Sequence, residues 1–395
     1  MRLGYIHFDR SEQKKYMAVI NRLLIGGAID ELGVGRIRDY YSDKMFPGIS
    51  SLHQHAKYFI LLPLLYREAV KYKYSSPRDV RPQIVKLEKD LTEVLYNRST
   101  IKIGITGSDF IGKKGYVRYD PTYIYATGLF KFGILLCDSL EEMIFDASRK
   151  YHERPIKLNA SDDENGDSDD LYNAYQFCHV PTDLGYDWKT QSTLDLTKGE
   201  SEFLIKHITG SKVCQGSLLV HVINTRMDIT NFDEFKDFAA SVDKSRYALP
   251  EQLKRDVTNA LNFARLVDGL YLRYNYLFSN KTDEDKNNEF LKWVDDVFSK
   301  YRDGMKESVV GLKISDNGSI PFCLGAITAI ENNDYKTLDD KIIRRERDIK
   351  QTRHKIGNNA YRYDSKYPIH KDSVQFRWET VRKLLHEIYK GLNNV

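Results

Sequence analysis

The stretch from about Pro250 to Leu277 sets the strongest limit on what this chain can fold into. Val257, Leu261, Ala264, Val267 and Leu270 recur at three- and four-residue steps, which puts them on one stripe of a long helix. Such a stripe must be covered by other elements, so this part of the chain needs a helical neighbourhood. Polar Asp256, Asn262, Asp268, Tyr274 and Asn275 lie along the same helix. Asp268 and Asn275 fall seven apart on one face, and structural hydrogen bonding to neighbouring helices is the reading they favour.

The same period recurs elsewhere. Ser11 reads as an N-cap for a helix through Tyr16, Val19, Ile20, Leu23 and Leu24, ended by Gly26-Gly27. Further helical patterns cover Ser50 to Tyr72, with Pro63 kinking or restarting the helix, and Pro82 through Leu95. Others cover Pro121 to Gly133, a capped start near Leu196–Leu204, Ser217–Ile223, Phe290–Tyr301, Leu338–Ile356 and Phe376–Leu392. Alternating strand patterns are few: Leu3–Phe8, Ile101–Ile105 and Val117–Tyr119. The expected fold is mainly α (α+β), a multi-helix protein with small N-terminal sheet elements. It divides into an N-terminal α+β domain over 1–150, an acidic exposed loop at 159–170, and a helical C-terminal domain over 171–395.

Composition excludes several classes. Hydrophobic residues at 41% and charged residues at 29% are ordinary for a globular chain long enough for two or three cores. The longest apolar run, Tyr58 to Tyr66, is about half a bilayer span and is closed by Lys57 and Arg67. Asp9, Glu12, Lys14 and Lys15 stand where a secretion signal would need an apolar core. Cys137, Cys178, Cys214 and Cys323 are scattered, with neither a C-x-x-C pair nor zinc spacing. A cytoplasmic protein with reduced, buried thiols and no membrane contact is expected.

Charge is unevenly spread. The formal net charge is +4, yet residues 162–170 hold six acidic groups and no basic one. Residues 1–120 carry 21 Lys and Arg against 13 Asp and Glu, and residues 341–382 carry 12 against 5. Two basic regions around a more acidic middle point to a polyanion, with nucleic acid, DNA first, as the candidate partner; a solvated surface is the alternative.

Three segments concentrate that charge. Gly33-Val-Gly35 followed by Arg36 and Arg38 offers backbone amides and guanidinium groups to a phosphate. It lacks both the Lys-Ser/Thr of a P-loop and the third glycine of a dinucleotide fingerprint, so a plain helix-entry turn competes. The segment Ile105 to Gly115 carries Lys113 and Lys114 between glycines, then Arg118. With the Pro121 helix it reads as a winged-helix-like edge, or as a surface turn beside a core helix. The helix at 341–356 places Ile342, Ile349 and Ile356 on one stripe, with Arg344, Arg347, Lys350 and Arg353 on outer faces that can lie along a phosphate backbone. The alternatives are an internal Arg345–Glu346 ion pair and a plain solvated helix face.

Catalytic constellations are weaker. His53 and His55 do not share a helical face, which disfavours a metal pair, and His221 reads as a core histidine. Asp30, Glu31 and Asp39 with Lys44 could cluster as in a metal-dependent nuclease or nucleotide hydrolase. No cofactor is implied.

Several blocks resemble, in order, an uncharacterised bacterial family known only as a domain of unknown function. They are the opening GYIHF, Asp30-Glu-Leu-Gly-Val-Gly-Arg-Ile-Arg-Asp39, Phe46-Pro-Gly-Ile-Ser50, Gln54-His-Ala-Lys-Tyr-Phe59, Pro121 to Leu129, Ser217-Leu-Leu-Val-His221, Tyr274-Asn275 and Phe376-Arg-Trp378. The resemblance runs from Gly4 to Leu392 apart from the acidic insert. It implies a cytoplasmic bacterial protein encoded near helicases, phospholipase-D-like nucleases or methylases in phage-defence clusters, and brings no catalytic residues. Charge and resemblance together lead us to expect a non-enzymatic nucleic-acid-binding scaffold that works with a helicase or nuclease partner. The Asp30–Asp39 nuclease is the alternative.

Overall fold

The computed structural model describes residues 30–153, 176–242, 249–315 and 317–393. Helices joined by turns and loops make up this part of the chain, and the β-pairing among the described residues is a single bridge between Leu135 and Cys178. The mainly helical expectation holds. The strands expected at Ile101–Ile105 and Val117–Tyr119 are turns, since closely placed glycines at 104, 107, 112 and 115 all take positive φ and break any extended run. The strand at Leu3–Phe8, the Ser11 helix and the acidic loop at 159–170 lie outside the described residues.

Two compact units share the chain. One combines residues up to Ser42 with Phe235–Phe376, and the other combines Asp43–Glu234 with Arg377–Val395. Sequence reading places two domains in series, whereas these units are interleaved. In chain order, the Ser42 boundary falls inside α1 (Gly35–Met45). The second unit then takes α2 (Tyr58–Ala69), α3 (Val80–Arg98), α4 (Pro121–Lys131), α5 (Leu140–His152), α6 (Trp188–Gln191), α7 (Lys198–Gly210) and α8 (Leu218–Thr225). The first unit resumes with α9 (Phe235–Val242), α10 (Glu251–Phe278), α11 (Glu284–Trp293), α12 (Ser299–Glu307), α13 (Ser319–Glu331) and α14 (Tyr335–Lys350). The second unit ends with α15 (Trp378–Asn393).

In the second unit, α2 is apolar on every face from Tyr58 to Tyr66 and buried nearly throughout, with Pro63 inside the helix rather than at its end. Residues 50–57 do not extend this helix as the periodicity suggests, because their polar groups are tied elsewhere. The Tyr125 hydroxyl accepts from the Gln54 and His55 amides at 2.8 and 3.0 Å. Glu387 accepts from the Ala56 amide at 2.7 Å, and its other oxygen lies 2.7 Å from His55 Nδ1. Buried Lys57 donates to Glu200 Oε2 at 2.6 Å and to the Asp195 carbonyl at 2.9 Å, while Tyr186 donates to Glu200 Oε1. His53 stacks on Tyr125 with ring centroids 4.5 Å apart. Burial pushes its pKa down to about 3, so the ring is neutral, with Nδ1 accepting from the Ser50 amide and Nε2–H donating to the Ile124 carbonyl. The block from His53 to Phe59 therefore ties together segments far apart in sequence.

The Phe46-Pro-Gly turn has a similar packing origin. Gly48 takes φ +83°, and a Cβ on Gly128 of α4 would sit 2.6 Å from the Gly48 carbonyl oxygen and 2.7 Å from the Phe59 ring. In the first unit, α10 carries buried residues along its whole length. Its Arg273 pairs in a fork with Asp339 of α14 at 2.6 and 2.9 Å. Asp268 and Asn275 do form structural hydrogen bonds, but to the irregular segment around residues 369–373 rather than to another helix.

The close approach of α4 to the Gly48 turn predicts that Gly128→Ala will destabilise the protein by roughly 1–3 kcal/mol, since a backbone oxygen cannot swing aside. Gly199→Ala, where a Cβ meets nothing within 4 Å, should be neutral or stabilising by up to about 1 kcal/mol. Urea midpoints of the two variants check this. Equal midpoints would mean that α4 does not lie against the turn as described.

Candidate nucleic-acid interface

The Gly33-Val-Gly35 segment is a closed turn. The Gly33 amide donates to the Asp30 carbonyl at 3.1 Å, and the Val34 and Gly35 amides donate to the Asp30 carboxylate at 2.9 Å each. These are the amides that an anion would have to meet, and an internal carboxylate and carbonyl already hold them. Gly33 takes φ +61°, and a Cβ there would lie 2.8 Å from Ile349 Cδ1 and 2.9 Å from Arg345 Nη2. Glycine is needed because α14 packs against this backbone.

The clamp is Arg345. Its guanidinium is buried and donates to the Leu32 carbonyl at 2.8 Å, the Gly33 carbonyl at 3.1 Å and the Asn317 carbonyl at 2.9 Å. Its sequence neighbour Glu346 turns to other partners. It accepts from the Tyr274 hydroxyl at 2.5 Å and from the Lys355 and Ile356 amides at 2.8 and 3.1 Å. Arg345 and Glu346 thus act as two separate anchors, each with its own partners. Catching the amides of residues 355 and 356 folds the chain back. Accordingly α14 stops at Lys350, Gln351 takes φ +50°, and Ile356 is buried from the returning segment instead of extending the Ile342–Ile349 stripe.

The cations expected to meet phosphate now separate. Arg36 donates to the Ser315 carbonyl at 2.5 Å and hydroxyl at 3.1 Å, and Arg38 pairs with Asp39 at 3.0 Å. Lys350 lies 3.4 Å from Glu31, which also takes Lys355 at 2.9 Å. Arg344, Arg347 and Arg353 are exposed, with no ion pair or side-chain hydrogen bond among the described residues. The Arg347 guanidinium passes 4.0 Å from where a Cβ on Gly357 would stand. The structure thus brings the Asp30 turn and α14 together, and leaves Arg344, Arg347 and Arg353 on display in the first unit.

Sequence reading missed the segment after α14. Tyr361, Lys366, Tyr367 and Lys371 are exposed there, and the signal was the alternation of basic and aromatic residues from Tyr361 to Lys371. Between Tyr361 and Lys366 the segment itself, through Arg362 and Asp364, lines an open groove together with Asp283, Glu284 and Asp285. A phosphate would be repelled from that groove.

Lys113, Lys114 and Arg118 sit in the second unit, all exposed, with the Arg118 guanidinium 5.2 Å from the Tyr119 ring centroid. The winged-helix-like reading fails here. The loop carries no strand, and no residue of α4 is exposed, so α4 has no face to place in a groove. Its start is fixed by the Asp120 carboxylate accepting from the Tyr123 amide at 2.9 Å. Asp120 also pairs with Arg81. Behind it lies Glu88, which accepts from the Thr122 amide at 2.7 Å through Oε1, while its Oε2 is buried without a partner among the described residues. Burial, then the adjacent Asp120 carboxylate, push the Glu88 pKa up to about 7. The nuclease alternative finds no support in the Asp30–Asp39 block. Asp30 caps the turn, Glu31 holds two lysines and Asp39 holds Arg38. Among the described residues no group of His, Cys, Asp and Glu is placed to hold a metal ion.

Two expected outcomes follow from these partners. Arg345→Gln should cost on the order of 3 kcal/mol or more by leaving buried carbonyls unpartnered, whereas Arg36→Gln combined with Arg38→Gln should stay within about 1 kcal/mol. Chemical denaturation distinguishes them, and similar losses in the two proteins would remove Arg345 as the clamp. Because the Glu88 pKa is raised in the folded state, its contribution to stability is full below the ordinary carboxylate range and is lost as pH rises through about 7. Glu88→Gln should flatten that decline, which amounts to roughly 3 kcal/mol at most. An unchanged pH profile of the melting temperature would refute the assignment.

Residues 1–307 match the model of a family of unknown function, DUF6361. The match takes in the Asp30 turn, α2, α4 and α10, while α14, the segment after it and the Phe376-Arg-Trp378 block lie beyond it. No curated protein and no solved structure matches the chain. With most of its length matched, the chain belongs to the family of unknown function DUF6361.

Proposed function

We propose that this protein binds nucleic acid without cutting it, with the end of α14 lying along a phosphate backbone. The observation that carries the reading is the contrast between Arg345 and its neighbours. Arg345 is buried and fully engaged, which fixes the helix, while Arg344, Arg347 and Arg353 project from that fixed frame with no acid partner among the described residues. Guanidinium groups held this way can take phosphates in a fork without first breaking an internal pair. Phosphate contacts position a protein on nucleic acid but carry no sequence information, so binding is expected to be sequence-tolerant. In the setting implied by the resemblance, such a subunit would hold nucleic acid for a helicase or phospholipase-D-like nuclease partner in an anti-phage defence assembly.

Binding to a labelled oligonucleotide should weaken steeply with salt. Replacing Arg344, Arg347 and Arg353 by Gln should reduce the slope of log affinity against log salt by up to about three, one per lost phosphate contact, and leave the melting temperature nearly unchanged. Fluorescence anisotropy across a salt series measures both quantities. Undiminished binding by the triple variant, or no binding by the parent protein at low salt, would overturn the proposal.

A further inference from the structure

We infer that the nucleic acid is single-stranded and that Tyr361 and Tyr367 are its stacking platforms. This deepens the proposed function and rests on it.

The segment following α14 is irregular yet closely pinned. Tyr363 donates to Asp283 at 2.6 Å and sets its ring edge-on to Phe278, with centroids 5.5 Å apart. Asn275 holds residue 369 from both sides, accepting from the Ile369 amide and donating to its carbonyl, each at 2.9 Å. His370 stacks on Tyr271 with centroids 4.6 Å apart and lies 3.0 Å from Asp268, whose other oxygen accepts from the Ser373 hydroxyl at 2.8 Å. At the near end, Asn358 donates to the His354 carbonyl at 2.9 Å, and its own carbonyl accepts from the Tyr361 amide at 3.1 Å.

Between these pins the chain holds one large ring out in water and leaves a second partly uncovered. Tyr367 is 78% exposed and Tyr361 is 38% exposed. Lys366 stands beside Tyr367 in sequence, and Lys371 and Arg353 are exposed on the same segment. A single exposed tyrosine is unremarkable on a protein surface. Two of them within one pinned segment, together with Lys366 and Lys371, which have no ion pair among the described residues, match the requirements of a single strand: rings to stack on its bases and charges to follow its backbone. The pins matter because ordering a loop on binding costs conformational entropy, and here that ordering is already present. Duplex DNA hides its base faces in the stack and would leave both rings without a partner. The acidic groove that includes Arg362 and Asp364 excludes phosphate on its side. Arg362 is therefore left out of the assignment, and Arg353, Lys366 and Lys371 are retained.

The test compares a single-stranded homopolymer, a hairpin duplex of equal charge and an abasic single strand of equal length, each at constant salt. The homopolymer should bind tightest. Tyr367→Ala should weaken it by at least about fivefold and Tyr361→Ala by a similar factor, with duplex and abasic binding unchanged. Tyr367→Phe should bind as the parent does, because the ring and not the hydroxyl makes the contact. Both tyrosines are exposed, so circular dichroism and melting temperature should match the parent. Equal affinity for single strand and duplex, or Ala variants that bind the homopolymer normally, would overturn this inference and leave the backbone-binding proposal standing. Absence of binding to all three probes at low salt would instead defeat the proposed function itself.

Discussion

The first unit depends on the buried guanidinium of Arg345. Taking a charged group out of water is costly unless each donor finds an acceptor. Arg345 meets that condition with backbone carbonyls at residues 32, 33 and 317, which come from separate stretches of chain. Because the acceptors belong to the backbone, their positions fix the path of the chain and not merely a side-chain rotamer. The Asp30 cap, the positive φ at Gly33 and the start of α1 all follow from holding that turn against α14. The same contact sets the frame from which Arg344 and Arg347 project, so folding and display are coupled at adjacent residues.

The second unit solves a related problem with different chemistry. Lys57 and Glu200 are both buried, and such a pair adds little net stability relative to an apolar contact, since desolvation offsets most of the attraction. It does strongly disfavour alternative packings, because removing either partner leaves a bare charge. Burial drives the Lys57 pKa down and Glu200 opposes that shift, which shows the two effects in competition at one group. With Tyr186 and Thr197 also bonded to Glu200, the start of α7 is locked to the segment before α2. The density of special residues from Asp30 to Tyr66 is thereby explained by architecture in both units.

What could be read from the sequence was whatever depends on local periodicity. The stripe of α10, the apolar run of α2 and the capped start of α7 are set by residues within a few turns of each other, and they appear where expected. The end of α14 was not legible, because it is decided by Glu346 accepting amides from residues 355 and 356 while also bonding Tyr274, a partner 72 positions away. The same holds for the arginines. Nothing local distinguishes Arg344 from Arg345, yet one faces water and the other is buried against residues 32 and 33. Expecting Lys350 on the outer face failed for the same reason, since Glu31 is distant in sequence. Lys113, Lys114 and Arg118 were correctly placed at the surface, but the loop they occupy owes its shape to glycines and not to strands.

The extent of the family match bears on how the first unit is to be understood. The match ends at residue 307, ahead of α13 and α14, which would ordinarily suggest a boundary there. The physical contacts argue otherwise. Arg345 clamps residues 32 and 33, Asp339 pairs with Arg273, and Glu346 accepts from Tyr274, so α14 completes the burial of groups that lie inside the matched stretch. Without α14, Arg273 would lose its carboxylate partner, the Leu32 carbonyl would lose the Arg345 donor, and the Gly33 carbonyl would keep only the Asn317 side-chain amide at 3.3 Å. Within the first unit, therefore, α14 and the matched residues around it fold together, and the exposed arginines and tyrosines stand on a scaffold that those matched residues help to build.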